Sequence, residues 1–177
     1  MVKKAIENPD LSHESFQLSL DFTRAWFQKT DSVSGLIPSN LNIIKDLWDP
    51  ANASADNYPF MVLSAYLLDS ELLKGTLLDI LNQEKTLTSR IGVLPDVYSF
   101  SKKDFNEYPI NPGQFIFGVS KYIKDGLIPL NELMGAYPRQ DRVMEMLDEL
   151  LNHTDDFTEL GKYFKCVSSV EEINGEM

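Results

Sequence analysis

The sequence has few of the residues that build metal, redox and disulfide sites. Its 177 residues include one cysteine and two histidines. Cys166 has no second cysteine to pair with, which fits a reducing compartment, and we expect it to be a small buried side chain. His13 and His153 are far apart and have no Cys, Asp or Glu at ligand spacing, so no metal site is predicted. No cofactor is predicted either, because a Gly-rich phosphate loop and a Gly-x-Ser-x-Gly elbow are both missing.

Positive charge and long apolar runs are also scarce. Sixteen basic against 27 acidic residues give a net charge of −11, and residues 140–177 contain ten acidic but only three basic residues. Such a surface repels phosphate backbones and anionic lipid, so neither nucleic acid nor a membrane is an expected partner. No apolar run approaches the roughly 18 residues of a membrane span. No secretory signal is visible, so a cytoplasmic location is the default expectation.

The sequence does contain a helical pattern of apolar residues along nearly its whole length. The clearest stripe recurs at i, i+3, i+4, i+7 and i+8 and consists of Val143, Met146, Leu147, Leu150 and Leu151. No segment alternates apolar and polar residues as a strand does, so the predicted fold class is all-α, in one domain covering 1–177. Helices are expected from an N-cap at Ser12 to near Asp31, and over 60–68, 72–81, 115–123, 143–151, 159–166 and 168–177.

Two of these segments are apolar on nearly every side. Residues 60–68 and 115–123 are therefore expected to be buried on most of their surface. Residues 86–105 lack a clear period, and we expect short pieces of helix and loop there, with no sheet of more than minor extent.

One tetrapeptide occurs twice. Gly35-Leu-Ile-Pro38 and Gly126-Leu-Ile-Pro129 each follow an aromatic-rich segment that ends in an acidic residue, Asp31 or Asp125. A left-handed glycine ends a helix, the Leu-Ile pair packs back on it, and proline prevents its resumption. The repeat predicts helical hairpins that recur along the chain, although two independent helix stops would give the same residues.

Several segments resemble the hairpins of the six-hairpin glycosidase superfamily, whose members fold as (α/α)6 toroids. They are Phe22-Thr-Arg-Ala-Trp26 with Asp31-Ser-Val-Ser-Gly-Leu-Ile-Pro-Ser-Asn40, Trp48-Asp-Pro-Ala-Asn-Ala-Ser-Ala-Asp-Asn-Tyr-Pro-Phe60, Leu87-Thr-Ser-Arg-Ile-Gly92 with Leu94-Pro-Asp-Val-Tyr98, and Phe117-Gly-Val-Ser-Lys-Tyr-Ile-Lys-Asp-Gly-Leu127. The resemblance spans roughly residues 16–177 and lies in the hairpin pattern, without a catalytic signature. It implies a bacterial carbohydrate-active protein, either a glycoside hydrolase or a polysaccharide lyase.

A complete toroid has twelve helices, which at about 11–12 residues per helix plus connections exceeds this chain. There is room for about three hairpins, so the resemblance implies a partial (α/α) toroid: the N-terminal part of a longer protein or a truncated member, with an incomplete site. A partial ring leaves the apolar edges of its end hairpins uncovered, which favours a homo-oligomer.

The richest group of polar and aromatic residues precedes the helix expected at 60–68. It consists of Trp48, Asp49, Asn52, Asp56, Asn57 and Tyr58. Carboxylates and amides that bind hydroxyl groups, flanked by aromatic faces, are what a sugar site requires. The same residue types cap helices and form turns, and this alternative stays open.

The candidate catalytic acids are Asp56 and Asp96, of which Asp96 is also a candidate turn residue. Glycoside hydrolysis usually requires two facing carboxylates, and a sequence does not show such a pair, so enzymatic activity is left open. Asp31 and Asp125 oppose the dipole of the helices that they are expected to end, and we expect them to bind backbone N–H groups of the following loops.

Two hypotheses for the function follow. The leading one is a carbohydrate-active protein that acts on or binds an oligosaccharide. The alternative is a non-catalytic helical module for protein interaction, which is favoured if the acidic C-terminal stripe faces a partner.

Overall fold

The computed structural model describes residues 2–42, 45–134 and 141–152, and this part of the chain is mostly helical. Its α-helices are α1 (Val2–Phe27), α2 (Tyr58–Leu68), α3 (Ser70–Leu72), α4 (Leu78–Thr88), α5 (Pro112–Lys121), α6 (Ile128–Met134) and α7 (Arg142–Asn152). Three π-helical segments occur at Pro50–Ser54, Leu73–Leu77 and Tyr122–Leu127. The mainly helical class is confirmed, whereas the helices expected at 159–166 and 168–177 lie outside the described residues.

α1 begins earlier than the sequence predicts. It starts at Val2, so the expected N-cap Ser12 lies inside the helix. Residues 3–7 are Lys-Lys-Ala-Ile-Glu, most of which are strong helix formers, and the helix therefore extends in front of Ser12. Pro9 also lies within it, where it withholds one backbone N–H from the helical hydrogen bonds. The other end is close to the expected one, since α1 stops at Phe27.

α1 packs against α2 with both helices running in the same direction. The hydroxyl groups of Ser19 and Ser64 are in contact, and further along Nη2 of Arg24 lies 3.1 Å from the carboxylate of Asp69. The side chain of Leu20 is buried on the same face of α1. The long connection between the helices therefore returns the chain to a level near the middle of α1, where α2 begins.

Only one face of α2 lies in the core. Its buried side chains include Tyr58, Met61, Val62 and Ala65. Phe60 and Leu67 are instead 61% and 57% exposed. On α5, Phe117 is 64% exposed. The prediction that 60–68 and 115–123 are buried on most sides is wrong for these faces, because the described elements pack against one side of each helix.

A kink interrupts the helix that was expected over 72–81. Gly75 has φ −97° and ψ −109°, and the π-helical segment around it joins α3 to α4. α4 continues to Thr88, so a regular helix also covers the first residues of the segment 86–105.

The rest of the segment 86–105 forms short antiparallel strands, where the sequence predicted helix and loop. β1 (Leu47–Trp48), β4 (Tyr98–Ser99) and β5 (Asp104–Phe105) make one sheet, and β2 (Ser89–Ile91) and β3 (Leu94–Pro95) make the other. In the first sheet Trp48 pairs with Tyr98, which pairs with Phe105. No strand among the described residues exceeds three residues, so the sheets are minor, as expected.

The two Gly-Leu-Ile-Pro copies adopt different structures. Gly35 has φ +72° and lies in the turn after α1, as predicted for a glycine that follows a helix. Gly126 lies inside the π-helical segment that leads into α6, so the prediction of a helix stop is wrong for this copy. Its role is close packing, since a Cβ here would lie 2.7 Å from Cδ2 of Tyr122 and 3.3 Å from Cα of Ala55.

A buried ion pair joins α7 to α4. Nη2 of Arg142 donates to Oε1 of Glu84 at 3.0 Å, and the two side chains are 1% and 0% exposed. The hydroxyl group of Tyr122 lies 3.5 Å from the other carboxylate oxygen of Glu84.

The predicted apolar stripe of α7 is only partly in the core. Val143 and Met146 are buried, Leu147 and Leu150 are partly buried against the core, and Leu151 is 67% exposed.

Candidate functional site

The expected polar cluster begins with a capping residue. Asp49 precedes the π-helical segment Pro50–Ser54, and its Oδ1 accepts hydrogen bonds from the N–H groups of Ala51 (2.9 Å) and Asn52 (2.7 Å). Nδ2 of Asn52 lies 3.1 and 3.0 Å from the two carboxylate oxygens. Asp49 therefore satisfies N–H groups that have no partner at the start of a helix, which is the capping role that the sequence left open.

The two aromatic members of the cluster are buried in the core. Trp48 is 0% and Tyr58 1% exposed, and Nε1 of Trp48 donates to the hydroxyl oxygen of Tyr58 at 3.0 Å. The ring of Tyr58 meets that of Tyr122 edge to face, with 6.4 Å between their centroids. Neither ring offers a face to solvent on which a sugar could stack. Together they anchor the segment 49–57 on the core.

The remaining members of the cluster hold this segment in place. Nδ2 of Asn57 donates to the backbone oxygen of Asn52 at 2.9 Å. The exposed Asp56 pairs with Lys121 of α5, with 2.8 Å between Nζ and Oδ1. The second candidate acid, Asp96, belongs to a different ion pair, with Arg90 at 2.5 Å, in which both side chains are less than one-tenth exposed.

Asp31 has the predicted structural role. Its Oδ2 accepts hydrogen bonds from the backbone N–H (2.7 Å) and hydroxyl (2.8 Å) of Ser34 and from the N–H of Val33 (3.1 Å). Partial burial on its own raises the pKa of Asp31, but the bonds from Ser34 and Val33 outweigh it and hold the pKa below its usual value. Asp125 differs, because the helix continues past it and its carboxylate pairs with Lys124 at 3.2 Å.

Two members of the predicted cluster line a groove beside α5. The groove has a volume of about 160 Å³, and its polar lining residues are Asp49, Asn52 and Gln114. The exposed ring of Phe117 also lines it, together with the apolar side chains of Leu47, Pro50, Ala51 and Val97. This groove combines hydrogen-bonding groups with an accessible aromatic ring.

The close approach of α5 to the π-helical segment Pro50–Ser54 depends on a glycine. Gly118 lines the groove, and a Cβ at this position would lie 2.7 Å from Cγ of Pro50. Any larger residue would force the two segments apart or move Pro50.

Sequence reasoning missed Gln114 and Phe117. The run 115–123 is apolar on nearly every side, and this pattern predicts a helix that is buried all round. A usable signal was present, since Gln114, Phe117 and Lys121 recur at i, i+3 and i+7 and place polar groups on both sides of the phenylalanine along one face.

A larger and more open concavity lies elsewhere, along residues 102–109. Backbone and side-chain hydrogen bonds organise it: the N–H of Phe105 and the hydroxyl of Tyr108 donate to Asp104 and hold its pKa below the usual value. The guanidinium group of Arg90 lies 4.8 and 4.6 Å from the ring centroids of Phe105 and Tyr108. These contacts explain how a short loop is held. The groove beside α5 is the candidate site because it brings members of the predicted cluster, Asp49 and Asn52, to an exposed aromatic ring.

Neither a metal site nor a membrane span is found in the described ranges. They contain no group of three or more His, Cys, Asp or Glu side chains that could hold a metal ion, and none of their helices is long and apolar enough to cross a bilayer. Comparison with known proteins gave no match to this chain among protein-family models, curated proteins or solved structures.

Proposed function

We propose that this chain binds a short oligosaccharide in the groove between the π-helical segment Pro50–Ser54 and α5. The observation that carries the proposal is the pairing of an exposed ring, Phe117, with three hydrogen-bonding side chains, Asp49, Asn52 and Gln114, around one cavity. A sugar ring presents apolar C–H groups on its faces and hydroxyl groups at its edge, and such a site matches both.

The hydrogen-bonding capacity of Asp49 supports a hydroxyl ligand. Its Oδ1 already accepts two backbone N–H groups and an amide N–H, whereas Oδ2 accepts from Nδ2 of Asn52. An ionised carboxylate oxygen has two lone pairs, so Oδ2 has room for a hydroxyl donor. The hydrogen bonds of the cap also fix the carboxylate of Asp49, so binding a ligand costs less side-chain conformational entropy.

The size and composition of the groove favour binding of one or two sugar rings, without hydrolysis. Its volume of about 160 Å³ is below the roughly 300–1,000 Å³ of pockets for drug-sized ligands. Among the described residues that line it, Asp49 is the single carboxylate, while glycoside hydrolysis usually needs two. We further propose that the chain is of the six-hairpin glycosidase type, which its hairpin segments resemble.

A glycan screen followed by titration calorimetry tests this proposal. We expect saturable binding of at least one oligosaccharide, weakened at least tenfold by Phe117→Ala and by Asn52→Ala. Phe60→Ala is the matched control, because Phe60 is equally exposed but lies on α2, and it should leave the affinity unchanged. The proposal is wrong if no glycan binds, or if both phenylalanine variants lose binding equally.

The alternative function, a protein-interaction module, is favoured by a different observation. α1 carries exposed apolar side chains outside its contact with α2, among them Leu11 and Leu18, which are 60% and 62% exposed. A protein partner on this face and a sugar in the groove do not exclude each other, because the two surfaces belong to different elements.

A further inference from the structure

We infer that the solvent-facing side of α1 is the interface of a parallel dimer of this chain. This inference is independent of the proposed sugar site. The surface, here called the outer face of α1, consists of Leu11, Ser15, Leu18, Phe22 and Ala25, all of which are exposed. The side that packs on α2 lies about 120° further around the helix, where Ser19, Leu20 and Thr23 are half-buried or buried.

The spacing of the outer face is that of a two-helix seam. Its residues are separated by alternating steps of four and three, which is the a/d pattern of a coiled coil. Leu11 and Leu18 fall at d positions, which are apolar in a coiled coil. Ser15 falls at an a position, and its hydroxyl already donates to the backbone oxygen of Leu11 at 2.8 Å, so burying it leaves no donor without a partner.

Charge selects a parallel orientation of the second copy. Glu14 and Asp21 occupy the g positions along one edge of the outer face, while the e positions are uncharged. In an antiparallel pair the g edges of the two copies meet, which brings acidic side chains together. In a parallel pair each g edge meets the e edge of the other copy, so Glu14 lies opposite Ser19 and Asp21 opposite Trp26.

The area indicates a weak dimer. Leu11, Leu18 and Phe22 are 60%, 62% and 44% exposed, which amounts to roughly 300 Å² of apolar surface per copy. Two such faces with their polar rims bury less than the roughly 1,200–2,000 Å² of a standard interface. Association is therefore expected to be weak, and added salt should strengthen it because each copy carries a net charge of −11.

Sedimentation equilibrium from about 10 to 500 µM, in low and high salt, tests the dimer. We expect the mean mass to rise towards twice that of one chain, and more so in high salt. Leu18→Glu should weaken association at least tenfold, while Leu133→Glu, at a leucine of α6 that is 68% exposed, should not. A chain that stays monomeric at 500 µM in both salts, or equal behaviour of the two variants, overturns the inference.

Disulfide trapping tests the orientation separately. In a Cys166→Ser background, Ser15→Cys places two cysteines opposite each other only in the parallel pair, at a Cα separation that suits a disulfide. Gln17→Cys, on the same helix but off the seam, is the control. Rapid oxidation to a covalent dimer for Ser15→Cys alone supports the parallel arrangement, and equal or absent crosslinking of the two variants contradicts it.

Discussion

Replacing Arg142 with methionine should cost more stability than any surface change in this chain. The guanidinium group lies 3.0 Å from the carboxylate of Glu84, and both side chains are at most 1% exposed. Methionine keeps much of the length of arginine but removes the charge that faces the buried carboxylate of Glu84.

The size of the effect follows from this burial. At an effective dielectric constant of about 20, two unit charges 3.0 Å apart attract by roughly 5 kcal/mol, and the desolvation of both groups offsets much of this. Removing one partner forfeits the attraction but keeps the other group's desolvation, which typically costs about 3–5 kcal/mol. For a chain of this length that corresponds to a fall in Tm of about 10 °C.

Urea denaturation followed by circular dichroism, with a second ion pair between the same helices as the control, measures the loss. Lys85 and Glu145 also join α4 to α7, but these side chains are 37% and 40% exposed, so Lys85→Met should cost about 1 kcal/mol or less. The double variant Glu84→Gln with Arg142→Met should recover much of the loss, because it leaves no unpaired buried charge. The reasoning fails if Arg142→Met costs no more than Lys85→Met, or if the double variant is as unstable as the sum of its parts.

Two further outcomes are expected from the turns and the packing. The lowered pKa of Asp31 means that its carboxylate contributes stability above the unfolded value near 3.8, and this contribution is lost as the pH falls through the lower folded pKa. At pH 7 the free energy of unfolding of Asp31→Asn should therefore be about 1 kcal/mol lower than that of the wild type. Between pH 5 and pH 2, however, the variant should lose less stability than the wild type, as measured by acid denaturation. Gly126→Ala should destabilise by about 1–3 kcal/mol, because the new Cβ would lie 2.7 Å from the ring of Tyr122. At Gly113, a helical glycine with no close neighbour except a side-chain oxygen at 3.8 Å, alanine should be neutral or stabilising in the same thermal melts.

Helices were predictable because their signal is local. The apolar stripe from Val143 to Leu150 follows a period of 3.6 residues, and a segment of about two helical turns is enough to recognise it. The strands were not predictable, since each is two or three residues long and its partner is remote: Trp48 pairs with Tyr98, fifty positions away. A pair of residues cannot display an alternation, so no local pattern distinguishes such a strand from a loop.

The ion pair between Glu84 and Arg142 was missed for a related reason. The residues are 58 positions apart, and each stands on a helix rich in other charges. Nothing local distinguishes a glutamate that is 0% exposed from the solvated ones nearby. Burial of such a charge depends on which face of α4 meets α7, and that is decided by the tertiary packing.

The candidate groove combines both kinds of information. Its carboxylate could be placed from sequence, because Asp49 before a proline is a recognisable start of a helical turn and the cap then fixes its position. Phe117 could not, because in a run that is apolar on all sides the sequence does not say which side will lack a covering element. Phe60 and Phe117 are exposed to nearly the same degree, but Phe117 lines the groove that also contains Asp49, Asn52 and Gln114. The measurement to compare is therefore the loss of sugar affinity when each phenylalanine is truncated to alanine. A loss confined to Phe117→Ala shows that recognition requires the polar groups of the groove, and that an exposed ring elsewhere on the surface is not sufficient.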